Sequence, residues 1–314
     1  MSASDQPPVP TPSTPDPSVR PAVAVTTVTI AAVSQPRSGG SGSGGDKMTN
    51  LSRTGSAVVI AVIVLAIYYV GIWAQFAANS SWLWTLGLLI VLCIYLGWLI
   101  SGRPLGILVS DRNLMSLSRF QMIAWSVVIL SGFLTIAFRR IAARVASPLD
   151  IGMDSHLWAL MGISTTSLVG TPLILQNKRD KPTDPDAVVK AAVTLKENPQ
   201  EVEDNRQGNL YANNSIKDAR VTDLFEGDEV GNTAYVDMAK VQMFLFTIII
   251  IVAFCYQLYD GFSRLGTSLD PKMVAEVAVM PVLSQGLITL LGISHVGYLG
   301  SKTADHTPTA PPNS

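Results

Sequence analysis

The sequence predicts an all-α integral membrane protein. It reads as a six-span helical bundle in which an N-terminal hairpin is followed by two parallel-repeat hairpins, behind a disordered tail. Three observations predict it. Of 314 residues, 48% are hydrophobic and only 14% are charged, against roughly 25% in soluble domains. The charges are also banked. None occurs between Arg53 and Arg103, Arg119 and Arg139, Asp154 and Lys178, Lys240 and Asp260, or Glu276 and Lys302. These gaps have room for the about 20 apolar residues that cross a hydrocarbon core. Finally, two parts of the apolar region share motifs at matching places. The pattern excludes a soluble enzyme, a secreted disulfide scaffold and a nucleic-acid binder.

Residues 1–53 read as a disordered tail. Pro7, Pro8, Pro10, Pro12, Pro15 and Pro17 punctuate its start, and residues 38–45 are almost pure Gly and Ser, a flexible-linker composition. No Lys or Arg precedes Arg20, so the basic region of a cleaved signal peptide is missing. The apolar stretch from Ala22 to Val33 is either a solvated segment or a tethered peptide that adds a strand to a partner.

Six spans follow, near 57–74, 82–100, 120–138, 155–176, 241–259 and 283–301. Residues 54–102 form the N-terminal hairpin, since the connection from Gln75 to Ser81 is short and uncharged. Trp73, Trp82 and Trp84 at that end read as an interfacial aromatic belt. Residues 103–176 make the first repeat unit, 241–301 the second, and 302–314 a C-terminal tail. With the N-terminus in the cytoplasm, nine Lys or Arg flank the inner side (Arg53, Arg103, Arg112, Arg119, Lys178, Arg179, Lys181, Lys240, Lys302). Five flank the outer side (Arg139, Arg140, Arg144, Arg264, Lys272). That asymmetry places both termini inside a bacterial plasma membrane, with Arg139, Arg140 and Arg144 against the trend. The polar segment 177–240 carries nine basic and thirteen acidic residues. It is short for an independent core, so it is expected to pack on the membrane domain or a partner. Asp186 is expected to cap a helix from Ala187 to Glu197.

The repeat is carried by Ser116-Leu-Ser-Arg119-Phe-Gln121-Met122 and Asp237-Met-Ala-Lys240-Val-Gln242-Met243, each a cap, a base and Gln-Met at the membrane entry. Their partner spans share Leu160-Met-Gly162-Ile163-Ser164 and Leu290-Leu-Gly292-Ile293-Ser294, with Asp154 and Ser284 at the same offset as caps. Residues 106–117 and 224–236 read as short β-hairpins before each unit. Gly162, Thr166 and Gly170 form a small-xxx-small face, and Gly292, Gly297 and Gly300 thin the last span, so both suit close helix packing. Ser164 and Ser294 are expected to hydrogen-bond across the contact. Gln121 and Gln242 are expected to face one another or the bundle interior, with Arg119 and Lys240 at headgroup level.

Little chemistry is visible. No Asp, Glu, Lys or Arg is central to a span, which weakens a pump or ion-coupled carrier. His295 reads as a neutral His bonded inside the bundle; a pH-sensitive gate, or a dyad with Ser164, is the sharper alternative. Cys93 and Cys255 act as small hydrophobes. No metal, cofactor or catalytic motif is present, and no enzyme is expected.

At Lys240-Val-Gln-Met-Phe-Leu-Phe-Thr247 and Leu290-Leu-Gly-Ile-Ser-His-Val-Gly-Tyr-Leu299, the chain resembles a group of uncharacterised bacterial multi-span membrane proteins. The resemblance covers roughly residues 105–302 and implies no catalytic residues. Some such proteins are similar to candidate membrane anchors of contractile injection assemblies. Two function classes follow. One is a non-enzymatic anchor in the lipid bilayer, docking a cytoplasmic protein partner through the tail or residues 177–240. The other is a small channel or solute carrier along the repeat axis. Six slim helices either close a bundle alone or pair as a homo-oligomer through exposed glycines.

Overall fold

The computed structural model describes residues 50–72 and 76–310. Residues 50–53, expected as the end of the tail, belong to the first turn of α1; the expectations for residues 1–49, the 22–33 stretch and Trp73 lie outside the described residues. Among the described residues the chain forms nine α-helices and no strands: α1 (Asn50–Ile72), α2 (Ala78–Ser101), α3 (Leu117–Ala142), α4 (Ser155–Gln176), α5 (Pro185–Leu195), α6 (Pro199–Asn205), α7 (Met238–Leu265), α8 (Pro271–Val277) and α9 (Gln285–Thr303). Five of them, α1, α2, α3, α4 and α7, are long and apolar enough to cross a membrane, consistent with a helical membrane protein. Polar residues such as His295 and Lys302 leave α9 outside that apolar set.

The bundle is built around α3. Half of its apolar window is buried, against 17% for α1 and α2, so α3 is the central helix and the first hairpin packs against it from outside. The main core joins Trp125, Val128 and Ile136 of α3 to Leu157 and Leu160 of α4, Ile250, Phe254 and Leu258 of α7, and Leu291 of α9. Burial there is tight packing of apolar side chains, the principal attraction between helices in lipid. Trp82 corrects the belt expectation. It is 3% exposed, and its Nε1 donates to Ser131 Oγ at 3.0 Å, whereas Trp84 is 60% exposed. Two residues of helix turn the side chain by about 200°, which carries Trp84 to the opposite face.

Helices α4 and α9 run side by side in the same direction. At one end His156 Nε2 meets Gln285 Oε1 at 2.6 Å; near the other, Thr171 and Tyr298 hydroxyls lie 3.4 Å apart. Asp154, Asp237 and Ser284 cap α4, α7 and α9 as expected from their side chains. Ser116 starts α3 without a side-chain cap bond. The cap of α5 is Asp184, not Asp186, because Pro185 takes the first helical position, where its missing N–H costs nothing.

The polar segment folds onto the bundle. Val188, Ala191 and Ala192 of α5, Val202 of α6, Tyr211 and Val230 make a small core, completed by Leu114 from the loop before α3. The two expected hairpins are loops closed by a single antiparallel bridge each, Val109–Met115 and Glu226–Val236. A base from the following helix braces each loop. Arg119 donates to the Val109 carbonyl at 2.7 Å, and Lys240 donates to the Glu226 carbonyl.

Candidate functional site

The consecutive acids Asp228 and Glu229 lie where the polar segment meets the helix ends. Arg112, in the loop before α3, donates to Asp228 Oδ1 at 2.6 Å and to the Asp228 carbonyl at 2.9 Å. Lys302, at the end of α9, bonds Asp228 Oδ2, and Lys240, in the first turn of α7, lies 3.4 Å from the same oxygen. Lys178, past the end of α4, donates to Glu229 Oε1 at 2.5 Å. Glu229 Oε2 accepts the backbone N–H groups of His306 and Thr307 at 3.0 and 2.9 Å. Arg103, past the end of α2, adds three bonds to the carbonyls of Ile216, Lys217 and Ala219. Four helix ends and the loop before α3 are thus tied to one polar segment.

Burial makes these pairs consequential. Arg112, Lys178, Lys240, Lys302 and Glu229 are each 6% exposed or less, so each charge needs an opposite charge or hydrogen-bond partner at close range. Burial alone would raise the Asp228 carboxyl; Lys240, Lys302 and Arg112 outweigh it and hold the group well below the usual carboxylate range. Burial pushes the neighbouring Asp223 up, against the Arg220 and Met115 N–H groups that it accepts at 2.9 and 3.0 Å. The flanking turn needs Gly231: a Cβ there would stand 2.3 Å from the His306 carbonyl.

Beside this cluster is a cavity of about 450 Å³ whose lining includes the first turn of α3, residues 168–175 of α4, Arg112, Arg179, Asp228, Lys240 and Tyr298. At its inner wall the Tyr298 and Ser118 hydroxyls lie 3.2 Å apart. Lys302 Nζ sits 4.5 Å above the Tyr298 ring. Deeper in the bundle, Gln121 donates to Thr247 Oγ1 at 2.5 Å.

The residues singled out in the sequence separate into two groups. Gln121, Ser164, Ser294 and His295 are buried. Gln242 is exposed and does not face Gln121, since α7 packs through Met243, Thr247 and Ile250 and its preceding residue turns outward. The Ser164–Ser294 bond is not formed, because neither hydroxyl has a partner among the described residues. His295 Nδ1 lies 2.9 Å from the Leu291 carbonyl, and its Nε2 is unpartnered, so no hydrogen bond joins it to Ser164. The glycine expectation is corrected in part. A Cβ at Gly292 would touch Ile163 at 3.8 Å and one at Gly170 would touch Leu299 at 3.7 Å, but Gly162, Gly297 and Gly300 face open space. Thr166 is exposed and bonds its own helix at Gly162. The α4–α9 contact therefore uses Ile163 and Leu299 closing over single glycines, not a continuous small-residue face.

This gives a direct expectation. Gly292→Leu should lower the unfolding temperature in detergent by crowding Ile163. Gly162→Leu should stay within about 0.5 kcal/mol of the parent, as an open position does. A large loss at Gly162 would show that a second copy covers that face.

Lys240 and the Asp228–Glu229 pair are what sequence reasoning missed. Lys240 was expected at headgroup level but is buried and paired. The available signal was Gly227-Asp-Glu-Val-Gly231, two adjacent acids in a Gly-bounded turn, in a segment flanked by bases at helix ends. Comparison with protein-family models, curated proteins and solved structures finds no match to this chain.

Proposed function

We propose that the chain is a non-enzymatic membrane anchor that docks a cytoplasmic protein assembly. In this reading α9 is a sixth span, α3–α4 and α7–α9 are a parallel repeat, and both termini lie in the cytoplasm of a bacterial cell. The observation that carries it is the attachment of the polar segment to four helix ends and the loop before α3 through bonds to Asp228, Glu229 and residues 216–219. A load applied to that segment reaches the helices through buried pairs rather than through a loose linker. Its outer side offers Val189 and Val193 of α5, 50% and 70% exposed, next to a groove of about 350 Å³. The resemblance to candidate anchors of contractile injection assemblies supports the same class of partner. Arg139 and Arg140 on the outer side are buried and bond carbonyls of Phe76, Asp150 and Ala278, just as Arg112, Lys178, Lys240 and Lys302 on the inner side are buried in the acid cluster. With these six set aside, Arg53, Arg103, Arg119, Arg179 and Lys181 against Arg144, Arg264 and Lys272 keep the same sense of asymmetry and support the orientation.

The test is recovery of partners from native membranes. Full-length protein should retrieve them. Deleting residues 1–45 should preserve insertion and abolish recovery, and Val189→Asp with Val193→Asp should weaken it. Undiminished recovery by both variants would remove the docking role from both regions. A second reading, a solute path, is favoured by Gln121 Oε1, the Ser164, Ser167 and Ser294 hydroxyls and His295 Nε2, which are buried and unpartnered among the described residues, groups that water commonly satisfies. Solute flux through purified protein in liposomes, above that of protein-free vesicles, would replace the anchor with the path.

A further inference from the structure

We propose that the cavity between the start of α3 and the end of α4 binds the headgroup of an anionic phospholipid, whose acyl chains continue along the same crevice. The charges around it do not balance. Arg112, Arg119, Arg179 and Lys240 line it against Asp111 and Asp228, and Lys302 stands behind Asp228 as a further cation. Arg112, Lys240 and Lys302 converge on a single side-chain carboxylate, and buried charge in excess is costly unless an opposite charge meets it. Two rim groups have donors to spare. Among the described residues Arg119 bonds only a carbonyl, that of Val109, and Arg179, whose terminal nitrogen pairs with Asp111, keeps its Nε buried without an acceptor. The first turn of α3, without a side-chain cap, adds its partial positive charge at the same wall.

The lining is also graded. One turn into the bundle from the bases come the Ser118 and Thr171 hydroxyls, and beyond them along α3 and α4 come Met122, Ile123 and Leu168, while Leu175 lies at the level of the bases. That order, cationic then hydroxylic then apolar, matches phosphate, glycerol backbone and acyl chain. About 450 Å³ is within the range of small-molecule sites. The crevice between α7 and α9, lined by Met238, Gln242, Leu245 and Ile293 among others, has a similar apolar wall but only Gln242, Ser294 and Tyr298 as polar groups, so it provides an internal contrast. The inference rests on the membrane reading of this chain.

Full-length protein, delipidated in neutral detergent, would be titrated with phosphatidylglycerol, phosphatidylcholine or glycerol phosphate, with bound molecules counted by native mass spectrometry. One saturable phosphatidylglycerol is expected, with phosphatidylcholine and glycerol phosphate far weaker. Arg179→Gln and Arg119→Gln should each weaken phosphatidylglycerol about fivefold, the scale of one base near an anionic surface. Arg264→Gln, on the far end of α7, should not. Equal binding of phosphatidylcholine, or equal loss at Arg264, would overturn the site. Glycerol phosphate binding as tightly as the lipid would assign it to a free anion instead. Flotation with liposomes separates the two inferences: protein that floats yet fails these titrations loses the lipid site alone, and protein that does not float loses the membrane reading too.

Discussion

Asp228→Asn should destabilise the folded protein by about 3–5 kcal/mol, because it leaves Arg112, Lys240 and Lys302 buried around a neutral amide. Asparagine keeps the shape, so the loss reports charge rather than volume. Asp305→Asn is the comparison. That carboxylate is 45% exposed and pairs with Lys181 at 2.5 Å, so its removal should cost no more than about 1 kcal/mol. Denaturant or thermal unfolding in detergent measures both. The effect of pH has a defined sign. The folded-state carboxyl of Asp228 is held below its ordinary value, so its contribution is complete above the unfolded value of about 4 and is lost as pH falls through the folded one. The Asp228→Asn protein should therefore lack part of the parent's acid sensitivity below about pH 4. Parallel pH profiles for the two would show that this carboxylate is not the group being protonated.

Trp125→Ala should have an effect of similar size in the main core of the bundle. The side chain is 1% exposed and packs edge-on against Phe254 with ring centroids 6.3 Å apart, at the α3–α7 contact. Emptying that position leaves a cavity among well-packed neighbours, typically costing about 3–5 kcal/mol. Trp125→Phe is more informative still. It keeps most of the ring and removes an indole N–H that has no partner among the described residues, so its cost should be below about 1.5 kcal/mol. If Phe is as damaging as Ala, the N–H has a partner, and the hydrated interior of the second functional reading gains weight.

How much of this was legible follows from the range of the forces involved. The long helices were readable because gaps in charge and runs of apolar residues are local properties. The caps Asp154, Asp237 and Ser284 were readable for the same reason: a cap acts within three residues of itself. Facing was harder. Gln121 and Gln242 hold the same place in their motifs, yet one is buried and the other exposed, since rotation is decided by what each helix packs against. Trp82 and Trp84 diverge likewise. The Asp228–Glu229 cluster was least legible, because Arg112, Lys178, Lys240 and Lys302 come from four separate parts of the chain. Each alone reads as an ordinary interfacial base.

The wiring of that acid pair also sets an order in time. A chain is made from its N-terminal side, and Asp228 and Glu229 are synthesised before Lys240, Lys302 and the His306 and Thr307 amides that complete their surroundings. Until α7 and α9 are in place and residues 304–310 fold back, the two acids hold only Arg112 and Lys178. The small core of that segment, from Leu114 to Val230, needs none of these later residues, so the acid cluster alone waits for the end of the chain. Under the anchor proposal, a partner that reads the completed cluster would engage finished molecules and pass over those still being made.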